Sequence, residues 1–150
     1  MADDIKIHEI HELDQFPSWL TPAGLSEYLH ESLKPFDDPA SEVLDGINAA
    51  FKERDGHKGF ILVAEHDEKP VGALVMIRTG MKGYIPENVL LYVAVSPSMR
   101  GKGIGTKLIE RSYKITHGNI KLHVEYENPA KKLYEKLGFV SKYAEMRYNK

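Results

Sequence analysis

The chain contains no cysteine, which excludes disulfides, cysteine-ligated metals and thiol catalysis. No apolar stretch approaches the roughly 18 residues that a membrane span needs. The amino terminus, Met1-Ala2-Asp3-Asp4, is acidic and lacks the basic-then-apolar layout of a signal peptide. A cytoplasmic location with no membrane partner is therefore expected. There is no internal repeat, no low-complexity tract and no long Lys/Arg stripe, so nucleic acid is not an expected partner. What is present is 150 residues, 42% of them hydrophobic and 28% charged. That is the length and balance of a single domain over residues 1–150, able to bury about 70% of the unfolded chain's surface.

The charges are unevenly placed. Residues 1–56 hold thirteen Asp/Glu against four Lys/Arg, a balance of −9, and the remainder carries +7. Such asymmetry suits an anionic, phosphate-bearing ligand beside the basic part and a cationic substrate beside the acidic part, with Glu27, Glu31, Asp37 and Asp38 as candidate wall residues. Solvated helix faces would carry the same charges without any partner.

The periodicities predict strand, two helices, three strands, helix, strand, helix, strand. Ile5, Ile7 and Ile10 begin an edge strand. Thr21 caps a helix with Pro22 at its first position, running to about Lys34. Ser41 is expected to cap a second helix with an apolar face at Val43, Leu44, Ile47 and Phe51, ended by Asp55-Gly56. Phe60 to Glu65 and Pro70 to Arg78 form a hairpin about Asp67-Glu68-Lys69. Ile104, Leu108, Ile109 and Ile115 share a helical face. Ile120, Leu122 and Val124 alternate as a strand. Ala130, Leu133, Tyr134 and Leu137 form a last helical face, which Gly138 terminates. This alternation of strands and helices predicts an α/β fold with a mixed sheet.

Between the apolar run ending at Val95 and the third helical face lies Ser96-Pro97-Ser98-Met99-Arg100-Gly101-Lys102-Gly103-Ile104-Gly105. Glycines at alternate positions let backbone N–H groups approach a ligand closely. A helix starting there presents unpaired N–H groups and its positive dipole end, which suits a phosphate. The plainer alternative is a flexible turn. Two familiar phosphate loops do not fit. The nucleoside-triphosphate loop needs Ser or Thr after Gly-Lys, where Gly103 stands, and a glycine where Ser96 stands. The dinucleotide fingerprint finds Gly101, Gly103 and an acid at Glu125, but Thr106 replaces its third glycine.

The loop resembles the pyrophosphate-binding motif of the GNAT family of N-acetyltransferases, Arg/Gln-x-x-Gly-x-Gly/Ala, with Arg100, Gly103 and Gly105 in register. Val93-Ala94-Val95-Ser96-Pro97 is similar to the family's strand-to-loop junction. Asn128, Ala130 and Leu133-Tyr134-Glu135-Lys136-Leu137-Gly138-Phe139 resemble its second block. The resemblance covers about residues 88–140. It implies the acyl-coenzyme-A N-acyltransferase fold, a mixed and mostly antiparallel central sheet flanked by helices. It also implies acetyl-coenzyme A as co-substrate, without a metal, and an acetyltransferase that acts on a primary amine of a small molecule or peptide. A homodimer is compatible with it. The pyrophosphate would lie on Arg100, Gly101, Lys102, Gly103, Ile104, Gly105 and Thr106, and the pantetheine arm along the backbone of Val93 and Val95. Asn128 is the candidate for a further coenzyme contact; only Pro129 separates it from Ala130 where the family has two residues, so Glu127 is the alternative there.

Tyr134 matches the tyrosine that contacts the coenzyme sulfur, and a phenol is a donor at neutral pH; it is the candidate acid. The strand Val89-Leu90-Leu91-Tyr92 lacks the glutamate that many members carry. His123 is the candidate base, histidine being the residue type suited to proton transfer at neutral pH, with Glu87, Glu125 and Tyr84 as weaker alternatives. Two other readings stay open. One is an acyl-coenzyme-A-binding sensor without transfer chemistry, and the other is a different nucleotide-binding domain.

Overall fold

A computed structural model describes residues 4–150; Met1, Ala2 and Asp3, which carry most of the reading of the amino terminus, lie outside the described residues. Five strands form one sheet in chain order: β1 (Lys6–Ile10), β2 (Phe60–His66), β3 (Lys69–Arg78), β4 (Asn88–Val95) and β5 (Ile120–Lys121). All neighbours are antiparallel except β4 and β5, which are parallel. The expected mixed, mostly antiparallel sheet flanked by helices is the fold.

Helices α1 (Pro22–Ser32) and α2 (Ala40–Ala49) cover one face, and α3 (Ile104–Ile115) and α4 (Ala130–Lys136) the other. Because β2 and β3 are covered on both sides, they read as near-continuous apolar runs. Ile61, Val63, Ala73 and Val75 join the core under α1 and α2, while Leu62, Leu74 and Met76 join the one under α3 and α4.

Local chemistry sets several boundaries. Thr21 Oγ1 accepts from the Gly24 N–H at 2.9 Å, and Pro22 opens α1, as expected of this pair. Asp67 and Glu68 both take positive φ (52° and 56°), the backbone of a tight two-residue hairpin turn. Two expectations for α2 are corrected. Pro39, not Ser41, precedes its first residue and no side chain caps it; proline's fixed φ sets the chain entry and leaves Ser41 inside the first turn. The helix ends at Ala49, not at Asp55-Gly56, which instead make a separate tight turn (φ 50° and 80°) closed by an Arg54–His57 bridge.

The carboxy-terminal third departs further. Only Ile120 and Lys121 join the ladder to β4; Leu122 and Val124 still pack on the core and His123 is exposed, so the alternation is real although the strand is short. Gly138 (φ 103°) ends α4 as expected, but the final strand is not formed: residues 139–150 carry no regular structure, and Val140, Tyr143, Met146 and Tyr148 are exposed. Period alone does not make a strand. A strand also needs an edge to pair with, and β5 is two residues long.

The closed end of the β4–β5 pair is held by polar groups. Buried Arg78 donates to both Asp55 carboxylate oxygens (3.0 and 2.9 Å), to Asn88 Oδ1 (3.0 Å) and to the His117 carbonyl. Asn88 Nδ2 donates to the carbonyls of His117 (2.7 Å) and Asn119 (3.0 Å). These bonds satisfy a buried guanidinium and pin the entry to β5 against the start of β4.

Candidate active site

Beyond Val89 the strands part. Among the described residues, none of β5 pairs with β4 from Leu90 to Val95, so that edge has no strand partner, although the Val95 carbonyl accepts from Arg100 Nε. Opposite β3 the register shifts: Tyr92 faces Val75 and Leu90 faces Met76, leaving Leu91 as an extra residue. Such a bulge re-aims side chains. Leu91 and Tyr92 both turn toward α1 and α2, while Val93 and Val95 lie on the α3–α4 side.

The loop after β4 brings the start of α3 to the end of this open edge. A short 3-10 turn (Pro97–Met99) leads to Gly101 and Gly103, both left-handed (φ 79° and 83°). Gly103 precedes α3 and no side chain caps the helix, so the N–H groups of its first turn are free of side-chain partners. Missing side chains also bring the pieces together. A Cβ on Gly72 of β3 would sit 2.9 Å from Ile104, and one on Gly105 would lie 3.5 Å from Leu133 and 3.6 Å from Val95. The helix start therefore nests between β4 and α4, with Ile104 buried beneath it and Gly101, Lys102 and Gly103 exposed. Thr106, in the same first turn, is partly exposed.

Arg100, expected among the pyrophosphate contacts, has partners within the protein. Its Nε donates to the Val95 carbonyl (3.0 Å) and its NH2 to the Ser32 carbonyl (2.8 Å). Beside it the hydroxyls of Tyr28 and Ser96 are 2.7 Å apart. Arg100 thus ties the glycine loop to the end of α1. Lys102 is exposed, and its ammonium lies 3.9 Å from the Met99 sulfur.

Tyr134 lies on α4, 8% exposed, its ring edge-on to Phe139 at 5.9 Å. Burial pushes its phenol up to about 12, so it stays protonated at neutral pH. Among the described residues its hydroxyl has no hydrogen-bond partner and can donate elsewhere. Asn128 uses its Oδ1 to accept from the Ala130 N–H (2.9 Å), which caps the turn into α4, while Glu127 is exposed. His123 projects to solvent after β5. Glu87 sits at the closed end of the cleft, where its carboxylate accepts the Asn119 N–H at 3.0 Å. The backbone N–H groups of Asn119 and of Glu87 itself hold that carboxyl below the usual range. Glu125 and Tyr84 are exposed.

On the opposite side of β4 lies a group the sequence did not single out. Gly46 lets α2 press onto the bulge; a Cβ there would meet Leu91 at 2.5 Å and the Tyr92 ring at 3.1 Å. This proximity sets Tyr92 among carboxylates. Its hydroxyl lies 3.4 Å from Asp38 Oδ2, and burial together with Asp38, Glu42 and Asp45 raises the phenol to about 12. Of the acids expected to form a wall, Asp38 is at this cleft, Asp37 is beside His30 (3.3 Å), and Glu31 is paired with Lys34 (2.8 Å) on the surface. A mid-helix glycine in α2 was the available signal, since glycine is unfavourable there unless something approaches closely.

The site thus combines a strand edge without a β5 partner and a helix start without a side-chain cap. The GNAT acetyltransferase domain matches residues 57–141. A 5-NmdU N-acetyltransferase of Pseudomonas phage PaMx11 is 35% identical over 104 residues, 68% of this chain and 69% of the relative. The chain belongs to the GNAT acetyltransferase family. Solved structures share the fold: the aminoglycoside N-acetyltransferase AAC(6')-Iy in complex with CoA (TM-score 0.66, 18% identity, 97% of this chain and 94% of the other) is one. Another is an aminoglycoside acetyltransferase from an uncultured soil metagenomic sample in complex with sisomicin (TM-score 0.65, 17% identity, 99% and 96%).

Proposed function

We propose that this chain, as one domain over residues 1–150 in the cytoplasm, transfers an acetyl group from acetyl-coenzyme A directly to a primary amine. The observation that carries the reading is the uncapped start of α3, set by Gly72 and Gly105 at the end of the unpaired β4 edge. The pyrophosphate takes the N–H groups from Gly101 to Thr106, with Lys102 as a nearby cation, and the pantetheine arm bonds to the backbone of Val93 and to the Val95 N–H. In transfer, the neutral amine attacks the thioester carbonyl, a C–N bond forms, the C–S bond breaks, and Tyr134 gives its proton to the leaving thiolate. His123 is the proton acceptor suggested by the sequence pattern. Arg100 acts by holding the loop to α1, and Asn128 by shaping the turn before α4.

The acceptor is a cationic amine, of a small molecule or a peptide side chain. An alkyl ammonium of pKa about 10 arrives protonated, and the carboxylates of Asp38, Glu42 and Asp45 about Tyr92 attract that form. The test is thiol release from acetyl-coenzyme A against amines, aminoglycosides, polyamines, peptides and 5-NmdU at several ionic strengths. Capture of the best acceptor should weaken as salt rises; best acceptors that are neutral or anionic and indifferent to salt would refute the cationic reading. The missing acid on β4 favours a second reading, a non-catalytic acyl-coenzyme-A sensor. Coenzyme binding without thiol release for any amine would select it.

A further inference from the structure

The transfer chemistry needs a proton acceptor on the amine side of β4, and that strand carries no acid. The bulge offers a substitute from another element. It turns Tyr92 toward α1 and α2, beside the loop that joins them, and Asp38 of that loop brings a carboxylate oxygen to 3.4 Å from the phenol. Tyr92 is three residues back along the open edge from Val95, about 10 Å at the rise of a strand. The extended pantetheine arm of the donor covers that span, which brings the thioester beside Tyr92. Resting on the acetyltransferase reading above, we propose that Asp38 receives the amine's proton through the hydroxyl of Tyr92.

The incoming amine, having already lost its first proton to water, donates an N–H to the hydroxyl, which donates its own O–H to Asp38 Oδ2. As nitrogen forms its bond to the thioester carbon, its proton passes to the phenol oxygen and the phenol's proton to the carboxylate. Tyr92 ends unchanged, Asp38 ends as the neutral acid and later returns the proton to water, and the thiolate takes its proton from Tyr134, which regains one from water. Because Tyr92 stays protonated throughout the working pH range, it serves as a relay and not as a base. At 3.4 Å the bond is long for O–H···O, as catalytic contacts often are before substrate closes on them. The charged groups facing Tyr92 are Asp38 from the loop and Glu42 and Asp45 from α2. His30 of α1 donates to the Asp38 carbonyl at 2.9 Å and holds this loop in place. Glu87, by contrast, is bound to the Asn119 N–H at the closed end of the cleft, and His123 projects to solvent beyond β5.

The test measures turnover and pH profiles of Asp38→Asn, Asp38→Glu, Tyr92→Phe and the double variant Asp38→Asn/Tyr92→Phe, with Asp67→Asn in the distant hairpin turn as a control for charge. Asp38→Asn and Tyr92→Phe should each lower kcat by about 10²-fold, the lower end for general base catalysis. The double variant should be no slower than the worse single one, because the two act as a unit. Asp38→Glu should recover most of the rate, and Asp38→Asn should lose the acidic rising limb. The melting shift produced by acetyl-coenzyme A should be unchanged in all of them. An Asp38→Asn enzyme with full kcat and a raised KM would make Asp38 a binding charge only and overturn the proposal. So would a pH limb lost in His123→Ala but kept in Asp38→Asn. Wild-type protein that lacks the melting shift or thiol release overturns the underlying reading, and this proposal with it.

Discussion

Replacing Gly103 by alanine adds one methyl group at a residue whose φ is 83°, immediately before α3. No atom lies within 4 Å of the added Cβ, so the change creates no clash within the protein. Its cost is backbone strain, about 1–2 kcal/mol for an L-residue in the left-handed region. If the free loop relaxes to escape that strain, a ligand that needs the left-handed turn must restore it on binding. Affinity should then fall about tenfold, the equivalent of 1.4 kcal/mol. At a concentration of acetyl-coenzyme A 100 times the wild-type Kd, the ligand stabilises the fold by about 2.7 kcal/mol, a melting shift of roughly 5–10 °C at this length. In Gly103→Ala the same concentration is only about ten times Kd, so the stabilisation falls to about 1.4 kcal/mol and the shift to roughly half. The control is Gly56→Ala, at φ 80° in the Asp55-Gly56 turn, also with nothing within 4 Å. It should lower the unliganded melting temperature by about 2–8 °C, as strain of this size does, yet keep the full coenzyme shift. Differential scanning fluorimetry on the three proteins, each with and without coenzyme, reads both quantities. A wild-type shift in Gly103→Ala, or an equal loss in Gly56→Ala, would refute the assignment of the loop.

Other expected outcomes follow from the same geometry. Tyr134→Phe should slow turnover by about 10²–10⁴-fold, the range for a positioned acid, with the coenzyme melting shift retained; full activity returns the residue to the core. Gly59→Ala should destabilise by about 3 kcal/mol or more, because its Cβ would sit 2.0 Å from the Met76 carbonyl and 2.9 Å from that of Ala50, both backbone atoms; urea denaturation reads this. The Arg78 guanidinium holds the Asp55 carboxyl below its usual range. A carboxyl depressed in the folded state stabilises above its unfolded pKa, and that contribution is lost as pH falls through the folded value. Asp55→Ala should therefore melt below wild type at pH 7, with the gap closing below about pH 4, the ordinary range of an aspartate. A gap that persists at pH 2 would contradict it.

Several features followed from the amino-acid order alone because their causes are local. Thr21-Pro22 opens α1 through a bond three residues long, and Asp67-Glu68 turns the hairpin through its own backbone angles. The glycines of the loop and the apolar face of α3 state the candidate coenzyme site within some twenty consecutive residues. The same order could not say where the ladder ends. Leu122 and Val124 alternate correctly and still leave the sheet, while the Arg78–Asn88–His117 network, assembled from distant parts of the chain, holds only the paired start of β4 and β5 together. Nor could it reveal that Arg100 bonds the carbonyl of Ser32, 68 positions earlier, instead of standing free. The acidic surroundings of Tyr92 needed the tertiary structure most, since they require a bulge at Leu91, a side-chain-free Gly46 and a loop carrying Asp38 to meet at one place. Contacts between residues far apart in the chain form only once the helices pack on the sheet. A one-residue shift of register, or about an ångström of helix approach, decides which side chain faces the cleft.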